Sequence, residues 1–367
     1  MHREIFDRPR GHAPCTRYRM LASSRIGLTL AGKYTLLREI GSGGMSTVFE
    51  AMHRNGRRVA VKVLAAPLAW DHDIRERFLR EGKTSVTVNH PRVVQVLDDD
   101  VAEDGSMFLV MELLDGEDLA TYAAARGGKL EEDHALDIAR DLLDVLEHAH
   151  ARGIIHRDIK PENLFLDRVR GLKVLDFGIA RTSLRTDPRL HRGQLLGTPG
   201  FMAPEQACGE GEDVDARTDL WAVGATLFWL LAGRRVHEGE SFELLLAKSA
   251  ALEPTPLREV APWVSEETCR FVDRAVARVR DDRFSDATAM KYALDRILDA
   301  RQDATLVLPR ARPHSVPFQS RTRGAAIAGA MLLVALTVFL LVFAKLRPVP
   351  TPEFRGITAP HAASSRR

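Results

Sequence analysis

The chain has 367 residues, 52 Lys+Arg against 50 Asp+Glu, three cysteines and 45% hydrophobic residues. At about 100–200 residues per domain, that length leaves room for two or three domains and a large core, which excludes disorder throughout. A formal charge of +2 excludes a dedicated nucleic-acid binder, whose counterion release needs a concentrated basic surface. Cys15, Cys208 and Cys269 lie far apart and in no C-x-x-C pair, so neither a disulfide framework nor a thiolate zinc site is expected.

Residues 1–33 are rich in Arg and His and lack a sustained period, and they read as a flexible leader. Their apolar stretch around Ile26–Leu30 is too brief for a secretory segment, which needs about 7–15 such residues. From Tyr34 the pattern changes. Alternating and β-branched runs at Tyr34–Ile40, Thr47–Ala51 and Val59–Leu64, punctuated by Gly41-Ser42-Gly43-Gly44 and Asn55-Gly56, predict three antiparallel strands. Asp71–Val88 reads as a helix with acidic residues at its start. Val93–Leu97 and Met107–Glu112 read as two further strands. The expectation is a small antiparallel lobe with one main helix over about 34–113.

Past Gly116 the pattern turns helical and predicts a larger, mainly helical lobe over about 114–300. In Glu131–Arg152 the residues Ile138, Leu142 and Leu146 recur every fourth position and define an apolar stripe. Asp219–Ala232 is apolar nearly all round, at the length of a buried core helix. Residues 301–323 hold Pro309, Pro313 and Pro317 with five arginines, a linker composition. Gly324–Ala344 then runs 21 residues without a charge. About 20 apolar residues at 1.5 Å each span a ~30 Å hydrocarbon core, so a transmembrane helix is expected, with 345–367 as a short tail. Ala325 and Gly329 fit a small-xxx-small pattern, which suggests helix pairing and a homodimer.

The glycine turn at 41–44 joins two predicted strands rather than a strand and a helix, which argues against a dinucleotide-binding turn. On the next strand, Val59-Ala60-Val61-Lys62 points Lys62 toward whatever lies beneath that turn. Glu81, on the following helix, is placed to pair with it. His156-Arg157-Asp158-Ile159-Lys160-Pro161-Glu162-Asn163 follows, and then Asp176-Phe177-Gly178. Phosphoryl transfer needs a carboxylate to orient the attacking hydroxyl, oxygen ligands for Mg²⁺ and cations against the phosphates, and this span supplies all three. His148 and His150 do not join His156 in a metal site, because their spacing on the preceding helix diverges around its circumference.

In this order the motifs resemble the eukaryotic-like, Hanks-type protein kinase family from about Tyr34 to Ala300. The resemblance implies an α+β, two-lobed kinase fold using ATP and Mg²⁺, followed by the transmembrane helix. It places Ile40, Gly41, Ser42, Gly43, Gly44, Val48 and Ala60 around the nucleotide, with Met111 as gatekeeper and Glu112 to Leu114 as the hinge. Lys62 corresponds to the lysine on the α/β-phosphates and Glu81 to its partner. Asp158 corresponds to the catalytic base, Lys160 to the γ-phosphate contact, and Asn163 and Asp176 to the Mg²⁺ ligands. Lys160 with Thr198 in Gly197-Thr198-Pro199-Gly200 resembles the Ser/Thr-specific pattern. Glu205 is expected to pair with Arg283, and Asp219 and Gly224 resemble the start of the central helix that anchors the catalytic loop.

Two departures stand out. Ser46 replaces the third loop glycine. Arg157 usually meets a phosphothreonine, yet the corresponding positions fall on Leu190 to Arg192, and the nearest upstream hydroxyls are Thr182, Ser183 and Thr186. Activation by loop phosphorylation in its usual form is therefore in question. The implied partners are protein substrates and ATP, without nucleic acid. The alternative is a catalytically silent, membrane-tethered scaffold or nucleotide sensor. Residues 301–323 carry five Arg against Asp303, and the tail carries Lys345, Arg347, Arg355, Arg366 and Arg367 against Glu353, net +4 on each side. Charge therefore sets no orientation. The cytosolic ATP supply does, and it predicts a single-pass cell-membrane protein with its kinase domain in the cytoplasm.

Overall fold

The computed structural model describes residues 25–43, 45–65, 68–177, 199–209 and 214–307, with side chains to residue 303. Gly44, Thr182, Ser183, Thr186, Leu190 to Arg192, Thr198 and the expected membrane segment 324–344 lie outside these residues. No helix among the described residues is long and apolar enough to cross a membrane.

The first lobe is a six-stranded antiparallel sheet built from β1 (Thr29–Leu30), β2 (Tyr34–Ser42), β3 (Ser46–His53), β4 (Arg58–Leu64), β5 (Val96–Val101) and β6 (Met107–Met111). The strand order is β1-β2-β3-β4-β6-β5. Alternation along the strands splits their side chains between two cores. Leu36, Phe49, Val59, Val61, Phe108 and Val110 fill one face, while Leu64, Met107 and Leu109 meet Ile74 and Phe78 of α1 (His72–Val88) on the other. Asp71 caps α1 by accepting from the amides of Asp73 and Ile74. Gly82 lets the helix approach the sheet, since a Cβ there would lie 2.8 Å from Leu109 Cδ2.

Two expectations need correction. The leader ends earlier than residue 33: β1 pairs Thr29 with Thr35 and Leu30 with Tyr34. Arg25 donates to Asp104 at 2.5 Å, Lys33 to Asp100 at 3.0 Å and the Tyr34 hydroxyl to Asp98 at 2.9 Å. These contacts also explain the second correction. The strand expected at Val93–Leu97 runs instead over Val96–Val101, because its acidic residues find cationic and hydroxyl partners on the segment that starts the domain. Val93 makes only an isolated parallel bridge, to Val174.

The second lobe opens with a three-stranded sheet of β7 (Gly116–Asp118), β8 (Leu164–Asp167) and β9 (Gly171–Val174). Its helices are α2 (Leu119–Ala124), α3 (Glu132–His150), α4 (Pro204–Cys208), α5 (Ala216–Ala232), α6 (Phe242–Ala251), α7 (Leu257–Val260), α8 (Glu266–Ala275) and α9 (Ala287–Val307). The α3 stripe Ile138, Leu142 and Leu146 is buried as its period predicts, and α5 is buried on nearly every side. At Gly224 of α5, a Cβ would stand 2.6 Å from Ala275 Cβ on α8, so this crossing needs glycine.

The Glu205–Arg283 pair forms inside this lobe. Arg283 donates from both terminal nitrogens to the Glu205 oxygens at 2.9 Å, and Thr218 adds a bond to Glu205 at 2.7 Å. The carbonyls of Arg217, Ala277 and Arg278 accept the remaining guanidinium bonds. Removing one partner would strand a buried charge, so Arg283→Met is expected to cost about 3–5 kcal/mol in urea unfolding. A loss below about 1 kcal/mol, the size of an exposed pair, would contradict this account.

Candidate active site

Lys62 stands on β4 between β3 and β6, opposite Val48 and Leu109. Its ammonium lies 2.5 Å from Glu81 Oε1 and 2.9 Å from Asp176 Oδ1. Burial alone would lower the Lys62 pKa, but the carboxylates of Asp176 and Glu81 raise it well above the usual lysine value. Burial lifts the Glu81 carboxyl, with Asp176 adding to the effect and Lys62 opposing it, to about 7. For Asp176, desolvation pushes upward, but the Lys62 charge and hydrogen bond, with Glu81 and His156 adding to them, together leave it below the usual carboxylate range. One ammonium thus faces two carboxylates, and the surplus negative charge suits a divalent cation.

The catalytic loop converges on the same place. Lys160 Nζ donates to Asp158 Oδ2 at 3.1 Å, and Asn163 Nδ2 donates to the same oxygen and to the Asp158 carbonyl, both at 2.8 Å. Asn163 sits in a single 3₁₀ turn, Pro161–Asn163, whose proline presets the backbone. Its carbonyl accepts from the Leu175 amide at 2.9 Å, which brings Asn163 beside the Asp176 segment. Asp176 itself has φ 42°, a left-handed conformation that Asp tolerates.

Beneath the loop, Asp219 of α5 accepts from the amides of His156 and Arg157, each at 2.8 Å, and from His150 Nε2 at 2.8 Å. His156 Nδ1 accepts from the Asp158 amide at 3.3 Å, so Nε2 carries the proton and donates to the Leu175 carbonyl at 3.0 Å. Burial pushes the His156 pKa down, consistent with this neutral tautomer. Its ring lies 4.5 Å from that of Phe177. His150 and His148 have separate structural employment: the first holds Asp219, and the second faces His90 at 5.2 Å between ring centroids.

The expected nucleotide slot is also assembled. Ala60 and Met111 form one buried apolar cluster with Val94, against which Val48, Val96, Leu113, Leu114 and Leu175 pack. Ile40 stands half-exposed near the end of β2. Gly41 pairs with Val48 and Ser42 with Thr47, and the Gly43 amide donates to the Ser46 carbonyl at 2.9 Å. A Cβ on Gly41 would meet only Val48 Cβ at 3.9 Å, and one on Gly43 only the Ser46 carbonyl at 3.8 Å. Packing within the protein therefore does not demand these glycines, and the space they leave fits a ligand approaching the backbone.

Some functional neighbours carried no signal in the sequence. Leu175 and Val94 join the slot through tertiary packing alone. Gln206 donates to the Arg157 carbonyl at 3.0 Å, supporting a residue at φ 66°. The Glu112 carboxylate is held by Lys173 at 2.6 Å and by Arg170, both in the β8–β9 hairpin, where charges ordinarily read as solvent-facing.

Among the described residues, no cluster of three His, Cys, Asp or Glu side chains could hold a metal by itself. The Asp176 carboxylate and the Asn163 amide oxygen, near the Lys62 ammonium, match the sparse protein ligation typical of Mg²⁺.

Residues 34–294 match the protein kinase domain family. Over 308 residues the chain is 38% identical to serine/threonine-protein kinase Pkn1 of Myxococcus xanthus, covering 80% of this chain and 44% of that protein. It is 35% identical to serine/threonine-protein kinase PknA of Mycobacterium tuberculosis, over 83% of this chain and 71% of that one. The crystal structure of the Mycobacterium tuberculosis PknI kinase domain superposes with a TM-score of 0.59 at 27% identity, covering 75% of this chain and 98% of that domain. The chain thus spans less than half the length of Pkn1. With the Lys62 triangle, the Asp158 loop and the apolar slot assembled inside the matched span, the chain belongs to the protein kinase family, among its bacterial, Hanks-type serine/threonine members.

Proposed function

We infer that this chain transfers the γ-phosphoryl group of ATP to Ser and Thr hydroxyls of proteins, in signalling at a membrane. The observation that carries the reading is the Lys62 ammonium set between Glu81 and Asp176, beside an Asp158 carboxylate oriented by Lys160 and Asn163.

Magnesium ATP supplies the transferable group and the divalent charge that balances it. Lys62 binds the α/β-phosphates, with Glu81 fixing its reach. Asn163 and Asp176 would hold the metal. Asp158 orients the attacking hydroxyl and takes its proton, while Lys160, bonded to the same carboxylate, places positive charge beside the transferred group. Val48, Ala60, Leu175 and the hinge segment Glu112 to Leu114 would receive the adenine. The Lys160–Asp158 bond supports Ser/Thr over Tyr specificity.

The charge-free stretch 324–344 supports a single-pass anchor that keeps the kinase domain in the cytoplasm, and its small residues support pairing of two copies. Membrane fractions of cells expressing the full chain should retain it through carbonate washing. Loss of the chain to the wash would overturn the anchor.

Three results test the chemistry. Asp158→Asn is expected to lower kcat for transfer to a basic protein by about 10²–10⁴-fold, the usual worth of a positioned base. Lys62→Met should lower kcat/KM by about 10²-fold or more, as loss of one preorganised cation does. In thermal shift, ATP with Mg²⁺ should stabilise wild type and Asp158→Asn alike, whereas Asp176→Asn should lose the part of the shift that EDTA removes. Strong ATP–Mg²⁺ stabilisation without turnover in wild type would favour the silent scaffold instead.

A further inference from the structure

The helix that carries Glu81 ends at Asn89, a left-handed cap with φ 44°, and His90 and Arg92 follow. Packing anchors the ends of this pivot, where Val88 and Val93 are buried in the core of the larger lobe, but a cavity of about 380 Å³ lies beside its middle, lined among others by Ser85, Asn89, His90, Pro91, Glu112 and Lys173. Polar contacts hold that middle part. His90 Nδ1 accepts from the Arg92 amide at 3.2 Å, which leaves the proton on Nε2, 3.3 Å from Asp144 Oδ2 on α3. Arg92 reaches Asp141 at 2.9 Å and Asp144 at 3.6 Å. From the far side, Lys291 of α9 donates to Asp144 Oδ1 at 2.6 Å and to Glu147 at 3.1 Å, and Thr288 donates to Glu147 at 2.7 Å. Asp144 is therefore shared by the pivot, α3 and the last helix.

The pivot also leads to both partners of Lys62. Through α1 it leads to Glu81. The Val174 amide donates to the Arg92 carbonyl at 2.7 Å and the Val94 amide to the Val174 carbonyl at 3.0 Å, and Asp176 is two residues beyond Val174. We propose that Asp144 is a positioning residue for phosphoryl transfer: it holds the pivot of α1 through His90 and Arg92, and Lys291 makes the last helix part of that hold. A change at α9, where the chain leaves the kinase domain, would thereby reach the reacting centre through ionic contacts in addition to the core that α9 shares with α3. The proposal rests on the phosphotransfer reading of the Lys62 site.

The test uses the full chain and three variants: Asp144→Asn, Lys291→Met, and a control, Phe271→Leu, which thins the α8 core far from the cleft. Asp144→Asn is expected to lower kcat about fivefold, with KM for the protein substrate unchanged, because a small misplacement of catalytic groups acts on the chemical step. Amides of α1 should exchange faster with deuterium, and Asp144→Glu should restore part of the rate. Lys291→Met should shift both readouts in the same direction by a smaller factor. Phe271→Leu should lower Tm while leaving kcat and α1 exchange unchanged. The proposal is overturned if Asp144→Asn and Phe271→Leu, compared at equal Tm loss, agree within twofold in kcat and in α1 exchange. Should wild type transfer no phosphate, the kinase reading fails by itself, and α1 exchange with the ATP–Mg²⁺ thermal shift still decides whether Asp144 holds the pivot.

Discussion

One ammonium shared by two carboxylates organises the site. Glu81 arrives on α1 and Asp176 on the segment after β9, and Lys62 joins them from the middle of the sheet. Without that cation, two acidic groups would stand in one cleft with nothing to balance them. At an effective dielectric of about 20, unit charges 4 Å apart interact by about 4 kcal/mol, so the arrangement holds only while all three backbones stay in place. The structure fixes each separately. Lys62 is a ladder residue with strands on both sides, Gly82 lets α1 settle onto Leu109, and the Leu175–Asn163 bond ties the Asp176 segment to the catalytic loop.

The loop itself is held in an unfavourable shape. Arg157 at φ 66° carries a penalty of roughly 1–2 kcal/mol for a residue with a Cβ. Asp219 offsets it with two charge-assisted bonds to consecutive amides, each worth about 1.5–3 kcal/mol. His156 then works as a two-ended strut, accepting from Asp158 and donating to Leu175, which couples Asp158 to the Asp176 segment. Protonating it would place a second donor against the Asp158 amide, which is why a neutral ring serves here.

Much of this was legible in the sequence because local chemistry and spacing coincide there. The glycine turn, Lys62, Asp158 and Asn163 each sit on an element whose period or punctuation is strong, and the slot residues Val48, Ala60, Met111 and Leu114 fall together as the motifs require. The misreadings concern charge satisfied at long range. Asp98, Asp99 and Asp100 look like a strand breaker until Lys33 and Tyr34 supply partners from residues more than sixty positions earlier. Arg25 looks like part of a flexible leader until it meets Asp104. The two errors are therefore linked: the segment before Tyr34, paired to β2, and β5, paired to β6, also satisfy each other's charges across the sheet. Periodicity measures what a segment can do alone and carries no record of such pairing.

Glu112 shows how the same kind of distant charge shapes specificity. The slot it borders is apolar on its faces, so under the proposed function recognition of a base falls to the hinge edge. A free carboxylate at that edge would compete for hydrogen bonds and repel a ligand that carries phosphates. Lys173 and Arg170 hold it, and its amide donates to the Gln95 carbonyl while its carboxylate accepts from the Gln95 amide. Its side chain is thereby committed to β9 and to the strand entering β5. A β8–β9 hairpin that looks peripheral in the sequence thus fixes where the Glu112 carboxylate lies.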